Sequence, residues 1–340
     1  MKVGSIGWAT QSGLGILAKA FYDHGVVNRM MVIQHPHYDT HWDWYPTQVG
    51  ADQFLDELDV LLLFETAIDW NVARKAKAKG IPIVLMPMYE WTPPNLPVPI
   101  DMYLCPSLLD LRYYEHKPSR LGAQFIPVPV EKPWKLRTKA LHFVHNAGHG
   151  GSGFRNGTPE LLQALPYIYS PVRLTLRGQP GILGPKRARS SEDRVSALFR
   201  QAKSDPRLDL QLGDFPYDSM FEEGDVFVFP EKFNGLSLPL QEAYASGMLV
   251  MASNRFPSNT WLPTDPLIPI YRYRDEQIAV PVESAIVEPR EIAYCIDTWY
   301  NRNIEEFSIK GKQWAEANSW EVLKPRYLSA LEQVCGIATE

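Results

Sequence analysis

The chain has 340 residues, 45% of them hydrophobic, which is enough material for two domains with a core each. A formal charge of −5 argues against broad affinity for nucleic acid or anionic membranes. Three widely spaced cysteines, Cys105, Cys295 and Cys335, exclude a disulfide framework and fit a reducing compartment, and no apolar run reaches membrane-spanning length. The chain opens on a strand with no basic, apolar, cleavable leader, so a cytoplasmic protein is expected.

Lys2 to Trp8 reads as a first strand and Ile16 to His24 as a helix closed by Gly25. Between them Gly13-x-Gly15 would let a ligand approach the backbone, although a tight turn uses glycine equally well. The third glycine and the acidic ribose partner of a dinucleotide dehydrogenase are missing, which excludes that class. The second strand, Arg29 to Gln34, runs into a loop carrying His35, His37, Asp39, His41, Trp42, Asp43 and Trp44. These include zinc-ligand types, but nothing fixes a tetrahedral spacing, so a polar, aromatic loop suited to an acceptor sugar or base is the preferred reading.

Helices near Asp52 to Leu58 and Trp70 to Lys79 alternate with strands Val60 to Phe64 and Ile81 to Met86, as in a parallel, doubly wound sheet. Arg74, Lys75, Lys77 and Lys79 read as a solvated helix face. Glu90, between Tyr89 and Trp91 beyond the Ile81 strand, would be desolvated there with a raised pKa, as a polar contact or base. Strands end at Ser107 and Val130, and Glu131 to Lys139 then reads as a linker whose Lys132, Lys135, Arg137 and Lys139 are solvated.

The second domain opens at Leu141 to His145. Gly148, His149, Gly150, Gly151 and Gly153 follow, ahead of a helix from Pro159 to Leu165, and make a phosphate-friendly loop. Arg155, Arg177 and His149 are its candidate cations, with a surface ion pair as the alternative for each. Gln179 to Asp193, with Lys186, Arg187 and Arg189, reads as an irregular loop. A helix Arg194 to Lys203, a strand Leu208 to Leu212 and a short helix near Tyr217 to Glu222 come next. After an irregular stretch from Asn254 to Pro269, helices Pro289 to Trp299, Ile304 to Asn318 and Trp320 to Val334 close the chain.

The chemistry centres on Asp225 to Ser253. Asp225 to Phe229 is an apolar strand ending at Pro230, and Leu238 to Ala245 is a helix with Pro239 in its first turn and Gly247 beyond its end. A strand from Met248 to Ala252 follows. Backbone amides around Gly235 and Ser237, at a helix start, favour hydroxyl oxygens and negative charge. The order of residues from Pro230 through Asn234-Gly235-Leu236-Ser237-Leu238-Pro239 to Glu242-Ala243 and Ser246-Gly247 resembles the donor-binding signature of family 4 glycosyltransferases. In that family a Glu-Gly-Phe-Gly-Leu-Pro loop leads to a second Glu, here Glu242; the first Glu is replaced by Asn234, which cannot carry its charge. Glu231, three residues earlier, is expected to point elsewhere.

The resemblance implies the GT-B fold: α/β, two Rossmann-like, doubly wound parallel-sheet domains facing a central cleft. Residues 1–135 would form the acceptor-side domain, 136–305 the donor domain, and 306–340 helices packing back on the first. It implies a retaining transfer from a nucleotide-diphosphate sugar, with Glu242 on the ribose and Asn234, Gly235, Leu236 and Ser237 on the sugar. Gly13, Gly15, His149, Gly150, Gly151, Arg155 and Arg177 would serve the donor phosphates. Asn234 and Glu90 would stand at the reacting centre, and His35, His37 and His41 would face the acceptor, a glycan, lipid-linked glycan or small molecule. No Asp-x-Asp triplet occurs, so neither a metal nor another cofactor is expected. Three alternatives stay open: transfer to a modified base in DNA through the Lys186 to Arg189 loop, a non-catalytic nucleotide-sugar binder, and a GT-B epimerase or phosphorylase.

Overall fold

The computed structural model describes residues 1–36, 39–148, 155–178, 198–213, 215–217 and 219–336. It divides into two compact units, the first formed by Met1–Pro129, Gln277–Pro281 and Asn318–Glu340, the second by Val130–Glu276 and Val282–Ala317.

The first unit alternates strands and helices: β1 (Val3–Gly7), α1 (Gly13–Asp23), β2 (Arg29–Val32), α2 (Ala51–Leu55), β3 (Val60–Phe64), α3 (Trp70–Ala78), β4 (Ile83–Met86), β5 (Met102–Cys105), α4 (Leu108–Tyr114) and β6 (Ala123–Phe125). The strands form one parallel sheet in the order β2-β1-β3-β4-β5-β6. Uninterrupted apolar runs such as Val60–Phe64 suit strands covered on both faces, and β1, β3, β4 and β5 are buried along their whole length. Side-chain oxygens of Ser12, Asp69 and Ser107 cap α1, α3 and α4. The basic face of α3 is engaged in ion pairs: Lys75, Lys77 and Lys79 meet Asp52, Asp101 and Asp56.

The second unit contains β7 (His142–Gly148), α5 (Thr158–Ala164), β8 (Arg173–Gly178), α6 (described over 198–202), β9 (Leu208–Leu212), β10 (Val226–Phe229), α7 (Leu238–Ala245), β11 (Leu249–Ala252), α8 (Pro289–Trp299) and α9 (Glu305–Ala317). Its parallel sheet runs β11-β10-β7-β8-β9. Alternation along β10 feeds two cores: Val226 and Val228 pack with α5 and α8 on one face, Phe227 and Phe229 with Leu240 and Ala243 of α7 on the other. A two-stranded sheet, β12 (Tyr273–Gln277) with β13 (Pro281–Ala285), is an element that sequence reading did not find. The last helix, α10 (Trp320–Cys335), belongs to the first unit, where Tyr327 and Trp320 meet Phe21 edge-on and the Tyr327 hydroxyl donates to Ile126 O at 3.0 Å. No described helix is long and apolar enough to cross a membrane.

Two expectations fail. The described residues between Tyr217 and Glu222 form turns instead of a helix. Three of their carbonyls accept from long cations elsewhere in the chain: Tyr217 from Lys132, Met220 from Arg177 and Phe221 from Arg137. For the same reason the Glu131 to Lys139 stretch is no solvated linker throughout. Arg137 is 3% exposed and donates to the carbonyls of Gly224, Lys135, Ser246 and Phe221; burial lowers its pKa to about 10.

Candidate functional site

In the second sheet the strand order reverses between β7 and β10, and in open α/β sheets ligands bind outside the carboxyl ends of strands at such a reversal. The loop after β10, Pro230 to Ser237, is buried throughout. The segment after β7 joins it at Arg155 to Gly157: the Lys232 amide donates to Arg155 O at 2.7 Å, and Lys232 Nζ lies 2.8 Å from Glu160. Gly157 has φ 72°, and a Cβ there would stand 2.0 Å from Pro230 O, so only glycine allows the two segments to meet. Beneath them His145 bridges Val228 O (2.8 Å from Nδ1) and Thr158 Oγ1 (2.7 Å from Nε2). A carbonyl can only accept, so Nδ1 carries the proton and Nε2 of the neutral ring accepts from Thr158. Burial lowers the His145 pKa to about 4, against the Val228 bond that favours the charged form.

Ser237 caps α7 in the left-handed region, φ 49° and ψ 54°, a conformation that costs a non-glycine residue roughly 1–2 kcal/mol. Its amide donates to Asn234 Oδ1 at 2.9 Å and its hydroxyl to Glu231 Oε2 at 2.7 Å. Glu231 therefore reaches the same turn as Asn234, contrary to expectation, and Arg255 completes the group with Nη1 at 3.1 Å from Asn234 O and 3.6 Å from Glu231 Oε1. Among the described residues nothing accepts from the Gly235, Leu236 and Leu238 amides, which lie at the positive end of α7.

One turn further along α7, Glu242 is 5% exposed. Tyr217 donates its hydroxyl proton to Oε1, and Lys132 Nζ stands 3.8 Å from the same oxygen and over the Tyr217 ring. Burial pushes the Glu242 pKa up to about 7, with the Lys132 charge opposing. Lys132 and Tyr217 are partners that sequence reading missed, since neither lies in a motif. Arg177 is held by Gln211 (3.2 Å), Met220 O (2.6 Å) and Glu223 (3.4 Å). His149, Gly150, Gly151 and the 179–193 loop with Lys186, Arg187 and Arg189 lie outside the described residues.

In the first unit Gly13 and Gly15 belong to the first turn of α1 and not to a loop before it. Gly15 has a packing reason, because a Cβ would stand 2.1 Å from Thr10 O; Gly13 faces open space. His35 and His41 both lie against the segment after β1: His35 meets Trp8 edge-on with centroids 4.5 Å apart, and the His41 amide donates to Ala9 O at 2.7 Å. The His41 ring stacks on Trp44, and Trp42 beside it is 50% exposed. His37 lies outside the described residues, among which no three His, Cys, Asp or Glu side chains converge as metal ligands would. Glu90 is buried after β4. Near it Asp110 accepts from the Tyr89 amide at 2.8 Å and from Ser107 Oγ at 2.5 Å; burial, then the Glu90 charge, pushes the Asp110 pKa up to about 8.

No protein-family model matches the sequence, and no curated protein does. Solved structures do match. A glycosyltransferase from Rickettsia africae has TM-score 0.69 at 11% identity, covering 99% of each chain. Sucrose-phosphate synthase from Thermosynechococcus elongatus has TM-score 0.67 at 13% identity, over 99% of this chain and 100% of that one. HepE of Anabaena, in complex with UDP and glucose, has TM-score 0.64 at 11% identity, over 98% and 100%. The chain thus has the GT-B fold, with its two doubly wound parallel sheets.

Proposed function

We propose that the chain is a retaining, metal-independent glycosyltransferase of the family 4 type, moving a sugar from a nucleotide-diphosphate donor to the hydroxyl of a glycan, lipid-linked glycan or small molecule in the cytoplasm. The observation that carries this reading is the buried Glu242 on α7, one turn beyond the Gly235 and Leu236 amides of the β10–α7 loop, at the reversal point of the second sheet. The HepE structure with UDP and glucose supports a nucleotide sugar as the ligand of this fold.

In this reading Glu242 accepts hydrogen bonds from the vicinal ribose hydroxyls, and Tyr217 and Lys132 hold its carboxyl group in place. Asn234 and the Gly235 and Leu236 amides orient the sugar. As the bond from the sugar C1 to the diphosphate breaks, negative charge grows on the leaving oxygen. Arg155, the amide cluster and the α7 dipole stabilise that charge, and Arg177 adds a further positive charge to that end of the sheet. Glu90, His35 and His41 serve the acceptor. A non-catalytic nucleotide-sugar binder is the second reading, favoured by the uncharged Asn234, whose side-chain oxygen is engaged with the Ser237 amide.

The test is binding of a nucleotide-sugar panel with nucleoside diphosphate release as the readout, wild type beside Glu242→Ala. One donor should bind saturably, with slow release that the substitution weakens by about tenfold or more in kcat/KM. Failure of every donor to bind rejects the reading, and binding without release in the presence of any acceptor establishes the non-catalytic one.

A further inference from the structure

We propose that Glu231 and Arg255 are positioning residues of the donor loop: with Asn234 they lock Ser237 in its left-handed conformation and so set the direction of the amides that open α7. The proposal rests on the donor-site reading of this loop. Four residues close a ring. Glu231 Oε2 accepts from the Ser237 hydroxyl (2.7 Å), the Ser237 amide donates to Asn234 Oδ1 (2.9 Å), Asn234 O accepts from Arg255 Nη1 (3.1 Å), and Arg255 returns to Glu231 (3.6 Å). All four are more than nine-tenths buried.

Ser237 is thus gripped at both its donors, which is what a side chain at positive φ needs and a glycine would not. Arg255 comes from outside the loop, beyond β11, where the Asn254 amide is fixed to Ile268 O at 2.8 Å. A buried ion pair adds little net stability over well-packed apolar side chains, so its use here is to hold one geometry. The carboxylate that Asn234 lacks is therefore still in the loop, placed three residues earlier and neutralised by Arg255.

Ser237→Ala keeps a side chain at positive φ and deletes the hydroxyl; Ser237→Gly deletes both the hydroxyl and the need for it. With the donor that wild type turns over best, Ser237→Ala should fall about tenfold or more below Ser237→Gly in kcat. Glu231→Gln should fall about tenfold below wild type, and adding Ser237→Gly to it should recover most of that loss. The Tm of each variant separates loss of fold from loss of geometry, and if Glu231→Gln does not fold the Ser237 pair decides alone. Equal turnover of Ser237→Ala and Ser237→Gly overturns the proposal, as does a folded double variant with no recovery. If wild type turns over no donor, the transferase reading fails. The ring is then judged by hydrogen exchange over residues 231–238, which should be faster in Ser237→Ala than in Ser237→Gly; equal exchange rejects it.

Discussion

Glu242, Asp110 and His145 are three buried titratable groups whose pKa values differ between the folded and unfolded chain, and their signs differ. Glu242 rises from 4.5 to about 7 and Asp110 from 3.8 to about 8, so between those limits the folded chain binds more protons than the unfolded one. Their contribution is fully present below the unfolded pKa and is lost as pH rises through the folded value. His145 falls from 6.5 to about 4, so its contribution is present above pH 6.5 and is lost as pH falls through about 4. Taken together these three groups lose stability from pH 5 to 8, and His142, whose pKa burial also lowers, opposes the loss as His145 does. Glu242→Gln removes one of the two carboxyl groups. Urea midpoints of wild type and variant across that range should show the variant gaining relative to wild type toward pH 8, by up to on the order of 3 kcal/mol for a shift from 4.5 to about 7. A difference that does not change with pH would show that Glu242 is ionised throughout.

Among elements, α7 was the most legible in sequence. Its bounds, Leu238–Ala245, follow from proline in the first turn and Gly247 after the end, and the apolar runs of β3 and β10 placed those strands to within a residue. Local pattern carries that information because the causes are local. It could not show that Arg137 and the side chain of Lys132 are buried, since most of their partners stand about 80–110 residues away in sequence and are mostly backbone carbonyls, which no residue type announces. Glu231 escaped for a related reason: its partners are the hydroxyl of Ser237, in a left-handed turn, and Arg255, 24 residues on, and neither is announced by the local pattern. The glycines show the same division. Gly157→Ala must push Pro230 O away from a Cβ at 2.0 Å and adopt φ 72°, so it should cost about 2 kcal/mol or more and loosen the join between the β7 and β10 loops. Gly13→Ala meets nothing within 4 Å in the first turn of α1 and should be neutral or stabilising by up to about 1 kcal/mol. Denaturant midpoints of the two variants rank them; the reverse order would mean that Gly13, and not Gly157, is the constrained position.

At the scale of the molecule, each unit has its own parallel sheet with a reversal in strand order, after β1 in the first and after β7 in the second, so topology alone offers two places for a ligand. Side-chain chemistry divides them. In the proposed reading the amides at the start of α7, buried Glu242 and Arg155 of the second unit would take a phosphate and ribose, and His35, His41, Trp8 and half-exposed Trp42 of the first unit an uncharged ring with hydroxyls. A nucleoside diphosphate alone should therefore slow hydrogen exchange over residues 155–164 and 230–246 and leave 8–16 and 35–45 unchanged. Amides without a hydrogen bond exchange fastest, so the largest change should fall at Gly235, Leu236 and Leu238. Protection centred on the α1 glycines instead would assign the donor to the first unit, and would leave the buried Glu242 with a purely structural role.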